Sequence, residues 1–201
     1  DAPDLTSTTS FYQTFRSCTN LGGDGSMNSW NTSTITTLER TFEGATNFNQ
    51  SLDNWDTSKV TSLFKTFRNT GTFNQPLNNW NTSSVTTMGG IFDLAIAFNQ
   101  PLNNWDTGNV VNMWALFFGA TSFNQDIDSW DTSSVTTMYQ MFKSATGFNK
   151  DLNNLDVSSV TTMYQMFYGA TLFNQDLNDW DTSKVTNMQQ MFQGATSFNG
   201  A

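Results

Sequence analysis

The residue types in the sequence limit the chemistry that this protein can perform. Its 201 residues include no histidine and one cysteine, Cys18. The chain therefore offers no serine or cysteine nucleophile with a histidine base, no Cys/His zinc set and no internal disulfide. The position equivalent to Cys18 in the next repeat is Ala45, so we expect Cys18 to be a small buried residue rather than a reactive thiol.

Carboxylates are the remaining side chains that could act in catalysis or bind a metal ion, and they recur at one position of a repeated sequence unit. This column holds Asp56, Asp106, Asp131, Asp156 and Asp181, with Asn31 and Asn81 in other repeats. On an outer surface these carboxylates would repel one another and could bind Ca²⁺. We favour the alternative, in which each side chain bonds the backbone of its own turn. No insertion builds a pocket for a paired-carboxylate hydrolase, so we expect no enzyme, no cofactor and no metal site.

Two threonine columns could order water on a flat surface. The first holds Thr32, Thr57, Thr82, Thr107, Thr132 and Thr182, and is interrupted by Val157. The second holds Thr36, Thr61, Thr86, Thr136, Thr161 and Thr186, and is interrupted by Val111. We expect structural hydroxyls, with the first column pointing inward and the second lying in a helix cap. Ice or mineral-surface binding by the Thr and Asp columns is the alternative function.

Two other positions of the repeat vary in residue type, and aromatic residues gather there. Six of these residues are the candidate ligand-binding site: Phe64, Trp114, Phe118, Tyr139, Tyr164 and Tyr168. Neighbouring columns already supply inward Met and Phe residues, so we expect these two positions to face outward. A large aromatic patch on a polar surface is typical of an interface. The alternative is that the rings only shield the adjacent chain from water.

All these columns follow from an unbroken 25-residue period. It is marked by Trp30, Trp55, Trp80, Trp105, Trp130, Leu155 and Trp180. A fixed period of this length is the signature of a stacked repeat array. We expect residues 30–201 to form about seven coils that continue beyond residue 201 in a longer protein, and residues 1–29 to form a degenerate capping coil.

Spacing within one repeat predicts an α/β solenoid similar to leucine-rich repeats, with one short parallel strand and one short helix in each coil. Leu52, Trp55 and Thr57 are spaced like the inward residues of such a strand. Residues from Val60 onward recur at intervals of three and four, which is typical of a helix, and Thr57 or Ser58 is the candidate N-cap. The Trp and Met columns should fill the core, and the Asn that follows each repeated Phe should bond turn backbone groups.

Charge and hydropathy exclude two classes of partner. A net charge of −9 with only eight basic residues argues against nucleic acid, which is bound through Lys and Arg. No apolar run approaches the roughly 20 residues of a membrane span. The last coil should expose Phe192 and Phe198, where a second chain could pair end to end.

Residues 130–150 and 180–199 carry the motif W-D-T-S-x-V-T-x-M-x-x-M-F-x-G-A-x-x-F-N-Q nearly intact. This motif resembles a bacterial surface-protein repeat of the same length, which is found in arrays on surface lipoproteins and cell-wall proteins and is related to leucine-rich repeats. The resemblance implies a location on the cell surface or outside the cell, and a non-enzymatic adhesion or binding role for a glycan or protein. It transfers no catalytic residues.

Overall fold

A computed structural model describes residues 3–23 and 25–199 of the chain. Each repeat forms one coil of backbone, and each coil lies on the next. Parallel bridges join equivalent residues of successive coils: Thr37, Ser62, Thr87, Asn112, Thr137, Thr162 and Asn187. The bridge between Ser10 and Thr37 spans a longer interval than the others, because two extra residues lie in the connection before Trp30.

The described residues contain almost no regular secondary structure. The one helix is a 3₁₀ helix at Ser26–Ser29. The bridges between coils are isolated residue pairs, and within residues 3–23 and 25–199 they do not extend into strands or a sheet. The predicted α/β solenoid, with a leucine-rich-repeat-like strand and helix in each coil, is therefore wrong.

The backbone hydrogen bonds of the segment with helical spacing show why no helix forms. The N–H groups of Leu63 and Lys65 donate to the carbonyls of Thr87 and Gly89 in the next coil, at 3.1 and 3.0 Å. The N–H of Thr66, which follows Lys65, returns to the carbonyl of Leu63 at 3.2 Å. An α-helix would use these N–H groups within its own segment, four residues back. A run of tight turns keeps the inward residues three or four apart and leaves alternate N–H groups free for the neighbouring coil.

Left-handed backbone conformation recurs at two positions of every coil. The first position is occupied by Gln13, Arg40, Lys65, Gly90, Ala115, Gln140, Gln165 and Gln190. The second is occupied by Ser17, Gly44, Asn69, Leu94, Gly119, Ser144, Gly169 and Gly194. Such a conformation costs a residue with a Cβ roughly 1–2 kcal/mol, and the hydrogen bonds between coils offset it. These residues have positive φ angles, whereas every residue of a right-handed helix has a negative φ.

The segment predicted as a strand is buried but unbridged. Leu52, Trp55 and Thr57 all point into the core as expected. However, the bridges lie further along the coil, in the segment that was predicted to be helical. Neither candidate N-cap caps a helix, because the N–H of Val60 closes a turn onto the carbonyl of Thr57, and the N–H of Ser58 bonds the aspartate two residues earlier.

Stacked phenylalanine rings form the centre of the core. Phe42 and Phe48 of one coil lie 4.1 Å apart between ring centroids, and Phe42 stacks on Phe67 of the next coil at 5.6 Å. Twelve such side chains are fully buried: Phe42, Phe48, Phe67, Phe73, Phe92, Phe98, Phe117, Phe123, Phe142, Phe148, Phe167 and Phe173. Burial contributes roughly 1.5–3 kcal/mol for each large side chain, so this double column makes a large contribution to stability.

The Trp and Met columns are also core, which confirms their predicted role. Trp105 is buried, stacks on Trp130 at 6.4 Å, and donates its indole Nε1–H to the carbonyl of Leu77 in the previous coil at 2.9 Å. Leu155 fills the same position in its coil and is equally buried. As leucine it packs there without an indole N–H to donate.

The repeated Asn joins successive coils. The Oδ1 atom of Asn74 accepts the backbone N–H of Asn99 at 2.9 Å and the side-chain amide of Gln100 at 3.1 Å. The same bond recurs from Asn49 up to Asn199. The predicted structural role is confirmed, although these side chains lie at the margin of the core rather than inside it.

The first and last coils expose residues that inner coils cover. Cys18 is exposed, so the prediction that it is buried is wrong; its equivalent Ala45 is buried because described coils lie on both sides of it. In the last coil Met188 is 40% exposed, and Trp180 and Phe198 line an open cavity of about 330 Å³. None of the described segments forms an apolar helix of the length needed to span a bilayer.

Candidate functional site

Three columns on one side of the stack form what we call the variable face. The first holds Tyr12, Glu39, Phe64, Gly89, Trp114, Tyr139, Tyr164 and Gln189. The second is the first left-handed column, from Gln13 to Gln190. The third holds Arg16, Glu43, Arg68, Asp93, Phe118, Lys143, Tyr168 and Gln193. Most of these side chains are partly exposed, although Glu43, Asp93, Ala115 and Gln165 are buried. Residue type varies in these columns, whereas the Phe and Trp columns of the core keep theirs, with Leu155 as the exception.

All six predicted aromatic residues lie on this face, but they form separate groups. Phe64 and Trp114 come from coils that are two apart, and their rings stack at 6.2 Å across the coil that carries Gly89. Tyr139 and Tyr164 stack at 5.1 Å. Every one of the six rings is half-buried. The expected outward aromatic surface is therefore present, divided into clusters by polar residues.

Lysine ammonium groups lie against the rings. Lys143 Nζ is 5.5 Å from the centroid of Phe118 and 4.9 Å from that of Tyr168, so it bridges two rings that lie two coils apart. It also donates to Oε1 of Gln165 at 2.6 Å. That glutamine accepts a second bond from Gln140 at 2.7 Å, which connects the lysine to a row of stacked amides. Cation–π contacts of this kind stabilise by about 0.5–2 kcal/mol each, more as they are desolvated.

A row of ion pairs occupies the first coils of the variable face. The guanidinium of Arg68 bonds Asp93 through Nε and Glu43 through Nη1, both at 2.8 Å. Arg16 reaches the other oxygen of Glu43 at 3.0 Å. Burial raises the pKa of Asp93, although the bond from Arg68 opposes this. Hydrogen bonds to Asp93 and Glu43 raise the pKa of Arg68, which stays charged.

A cavity of about 230 Å³ opens where this ion-pair row meets the aromatic clusters. Its wall includes Lys65, Arg68, Asp93, Trp114, Phe118 and Gln140. Gly90 supplies no side chain at a point that is surrounded by Lys65, Trp114 and Asp93, three of the residues that line the cavity. The stem of Lys65 crosses this gap, with its Cγ 3.1 Å from where a Cβ of Gly90 would lie. An irregularity in residue type, without any insertion, is thus sufficient to form a pocket.

The first threonine column is buried and structural, as predicted. Thr82 is 2% exposed, and its hydroxyl donates to the carbonyl of Asp106 in the next coil at 2.9 Å. Thr107 and Thr132 make the equivalent bonds at 2.8 Å. Val157 is buried at the same position and has no hydroxyl to donate.

The second threonine column is exposed along its whole length. It lies beside the bridged residues rather than in a helix cap, so that part of the prediction is wrong. The hydroxyl of Thr161 donates to the carbonyl of Thr136 at 3.1 Å, and that of Thr186 donates to Thr161 at 3.1 Å. Each hydroxyl proton is used between coils, which leaves the oxygen lone pairs facing solvent.

The aspartate column makes the turns that we favoured on sequence grounds. The Oδ1 atom of Asp131 accepts the backbone N–H and the hydroxyl of Ser133 at 3.0 and 2.7 Å. The same backbone bond is made by Asp56, Asp156 and Asp181. Hydrogen bonds from the serine two residues later lower the pKa of all four aspartates. In the described part of the chain, no three acidic or cysteine side chains are grouped to hold a metal ion.

Sequence reasoning missed the cations and the cavity on the variable face. Arg68 and Lys143 belong to a variable column, but their contacts with carboxylates and rings depend on the neighbouring coils. Lys65 belongs to the left-handed column, which the helical interpretation left out. The signal that could have identified this site is the clustering of basic residues at two positions of the repeat, in an otherwise acidic chain.

Comparison with known proteins connects the chain to one family. The family model described as a Mycoplasma protein of unknown function, DUF285, matches residues 9–114 and again residues 100–201. Two overlapping matches agree with the predicted bacterial repeat family, but they do not indicate a relationship to leucine-rich repeats. No curated protein and no solved structure matches the chain.

Proposed function

We propose that this chain, which belongs to the DUF285 family, is a non-enzymatic binding module at the cell surface or outside the cell, and that it recognises a glycan or protein through the variable face. The observation that carries the proposal is the half-buried position of its aromatic rings. Rings such as Trp114 and Tyr164 keep part of their apolar surface in contact with water, where a partner can cover it.

Other columns of the repeat have a structural role that accounts for their residue type. Buried Trp, Met and Phe residues pack the core, the first threonine column bonds carbonyls of the next coil, and asparagine joins the coils at their margin. The variable face differs, because its residue type changes from coil to coil while the backbone does not. Such variation on a rigid scaffold is typical of surfaces that determine binding specificity.

The experiment is a binding assay of the purified chain against a panel of glycans and extracellular matrix proteins. In the test variant, Trp114, Tyr139 and Tyr164 are changed to alanine. The control is Leu172→Ala, which removes a side chain that is 55% exposed outside the variable face. The proposal expects a ligand that the control binds normally and the folded triple variant binds at least tenfold more weakly, since aromatic anchors often contribute about 2 kcal/mol or more. Equal binding by both variants contradicts it.

The exposed threonine column supports a second candidate, binding to ice or a mineral surface. Thr136, Thr161 and Thr186 present oxygen atoms at the spacing of successive coils, roughly 4.8 Å for bridged parallel chains. A thermal-hysteresis measurement tests this function, with Thr161→Val as the variant because Val111 already occupies the same column. No thermal hysteresis in the unmodified protein rules out ice binding.

End-to-end association of two copies is a further proposal. Among the described residues, the backbone N–H groups of Met188, Gln190, Phe192 and Gly194 have no acceptor, whereas their equivalents in inner coils donate to the next coil. The carbonyls of the first coil would supply acceptors in the same register. Sedimentation of the purified chain over a range of concentrations tests this, and a constant monomeric mass contradicts it.

A further inference from the structure

The charge of this acidic protein is divided unevenly over its surface. Five of the eight basic residues lie on the variable face: Arg16, Arg40, Lys65, Arg68 and Lys143. Of the fifteen acidic residues in the described ranges, three lie there: Glu39, Glu43 and Asp93. The face therefore carries a formal charge of +2, and the other three basic and twelve acidic residues in the described ranges carry −9. A partner that approaches this face meets positive charge on a protein that otherwise repels anions.

Two lysines of this face, Lys65 and Lys143, form no ion pair among the described residues, and of these two Lys65 lines the cavity. Its ammonium lies 4.9 Å from the ring centroid of Phe64 and 5.0 Å from that of Trp114. Within the described residues no carboxylate lies within ion-pair distance of it, because Glu43 and Asp93 are already held by Arg68 at 2.8 Å. The ammonium is thus fixed at the cavity wall with its hydrogen-bond donors available.

The surroundings of Lys65 disfavour its charge in the absence of a ligand. Partial burial lowers the pKa of Lys65, and the positive charges of Arg40 and Arg68 lower it further. Glu43 and Asp93 act in the opposite direction, but both bond Arg68. An anion in the cavity would offset the repulsion among these cations, so binding of an anion is favoured at this point.

The other walls of the cavity fit a sugar ring. Trp114 and Phe118 supply aromatic surface, on which the C–H face of a pyranose can pack, and Gln140 supplies an amide for its hydroxyls. The volume of about 230 Å³ lies below the usual range for drug-sized ligands, so it accepts one ring rather than a larger group.

We propose that the cavity beside Lys65 binds one carboxylate-bearing sugar of an acidic glycan, with the carboxylate on the Lys65 ammonium and the ring against Trp114. This inference rests on the proposed function of the variable face as a binding surface and names its ligand class. Arg68 and Asp93 form an ion pair on one side of the cavity. Because the guanidinium of Arg68 neutralises the Asp93 carboxylate, this carboxylate does not repel the carboxylate of the ligand.

The test is calorimetric titration of the full chain with a uronic-acid-containing oligosaccharide and with the same oligosaccharide after reduction of its carboxyl groups. Lys65→Gln is the test variant, and it should fold because glutamine occupies the same left-handed column at Gln140, Gln165 and Gln190. Lys59→Gln, at an exposed position outside the variable face, is the matched control for loss of one positive charge.

The expected result is about tenfold weaker binding after carboxyl reduction and about tenfold weaker binding by Lys65→Gln, as for loss of one charge-assisted hydrogen bond. Lys59→Gln should bind normally, and affinity should fall as salt rises. Equal binding of the acidic and reduced sugars overturns the inference but leaves the proposed function. Polyglutamate is titrated in the same way. If it binds and neither sugar does, the inference is also overturned, in favour of an acidic protein partner. If neither these sugars nor any member of the ligand panel binds, the proposed function fails as well.

Discussion

Replacing Gly90 with alanine distinguishes the observed backbone from the helix that sequence periodicity predicts. Gly90 has a φ of 64° and lies within the segment of its coil that has helical spacing. In a helix interior, glycine to alanine would stabilise the protein by about 1 kcal/mol. In the left-handed conformation the new Cβ costs roughly 1–2 kcal/mol. Alanine also lowers the entropy of the unfolded chain, which stabilises the protein by about 0.4–1 kcal/mol. The net effect is therefore destabilisation by up to about 1.6 kcal/mol. The two structures thus predict opposite signs.

Steric exclusion does not complicate the Gly90→Ala prediction. Ala115 occupies the equivalent position with a φ of 49°, so an alanine side chain fits this column. The atoms nearest to a Cβ at Gly90 are Cγ of Lys65 at 3.1 Å and Cζ3 of Trp114 at 3.4 Å, both in side chains that can shift. The cost is therefore mainly conformational.

Gly71→Ala is the matched control for this measurement. Gly71 lies outside the left-handed region, and the atom nearest to a Cβ there is the carbonyl oxygen of Thr46 at 3.9 Å. We expect this variant to be neutral or stabilised by up to about 1 kcal/mol. Urea unfolding measures both variants, and at this chain length about 1 kcal/mol corresponds to about 2–4 °C in Tm. If Gly90→Ala stabilises the protein as much as Gly71→Ala does, the left-handed column is refuted.

Three further variants test individual bonds between and within coils. Thr82→Val removes the hydroxyl that bonds the carbonyl of Asp106 and should cost about 0.5–1.5 kcal/mol in urea unfolding; no loss would show that this buried bond is not stabilising. Asn99→Ala leaves the backbone N–H of Asn124 without its acceptor and should cost about 1–2 kcal/mol, while increasing amide hydrogen exchange at that N–H; unchanged exchange contradicts the asparagine ladder. Hydrogen bonds from Ser133 lower the pKa of Asp131 below its ordinary value of 3.8. The ionised carboxylate therefore stabilises the fold at pH values above 3.8. This contribution is lost as the pH falls through the lower pKa of the folded state. Asp131→Asn, which keeps the acceptor oxygen, should therefore flatten the loss of stability below about pH 4, and an unchanged pH profile would refute this account.

Repeat spacing and residue type identified the buried columns of the inner coils, although they did not reveal the exposure of Cys18 in the first coil. Trp105, Leu155 and Thr107 were assigned to the core because each occupies a column of similar size and polarity, and all three are buried. Burial depends on the column that a residue shares with its equivalents, and the repeat period reveals those columns directly. The turn made by Asp131 was predictable for a related reason, since it needs only a serine two residues later.

The backbone that presents these columns was not predictable from the period. Inward residues recur at three and four in a helix, and they recur in the same way in the run of turns around Lys65 and Asn69, two left-handed residues that are four apart. The two structures differ in where alternate N–H groups find acceptors. That choice depends on the carbonyls of the next coil, such as Thr87 and Gly89, which periodicity within one repeat does not describe.

The candidate site also combines features that the sequence predicted with features that only the structure showed. Outward aromatic residues such as Trp114 were identified from the sequence because their column varies while its neighbours do not. The cavity and the unpaired ammonium of Lys65 emerged only from the tertiary structure. A side chain on this face is positioned by the coils before and after its own, and stacking brings together residues that lie one and two repeats apart in the chain. Sequence alone therefore determined the period, the buried columns and the variable face, and the stacking of coils decided the backbone conformation and the shape and charge of the site.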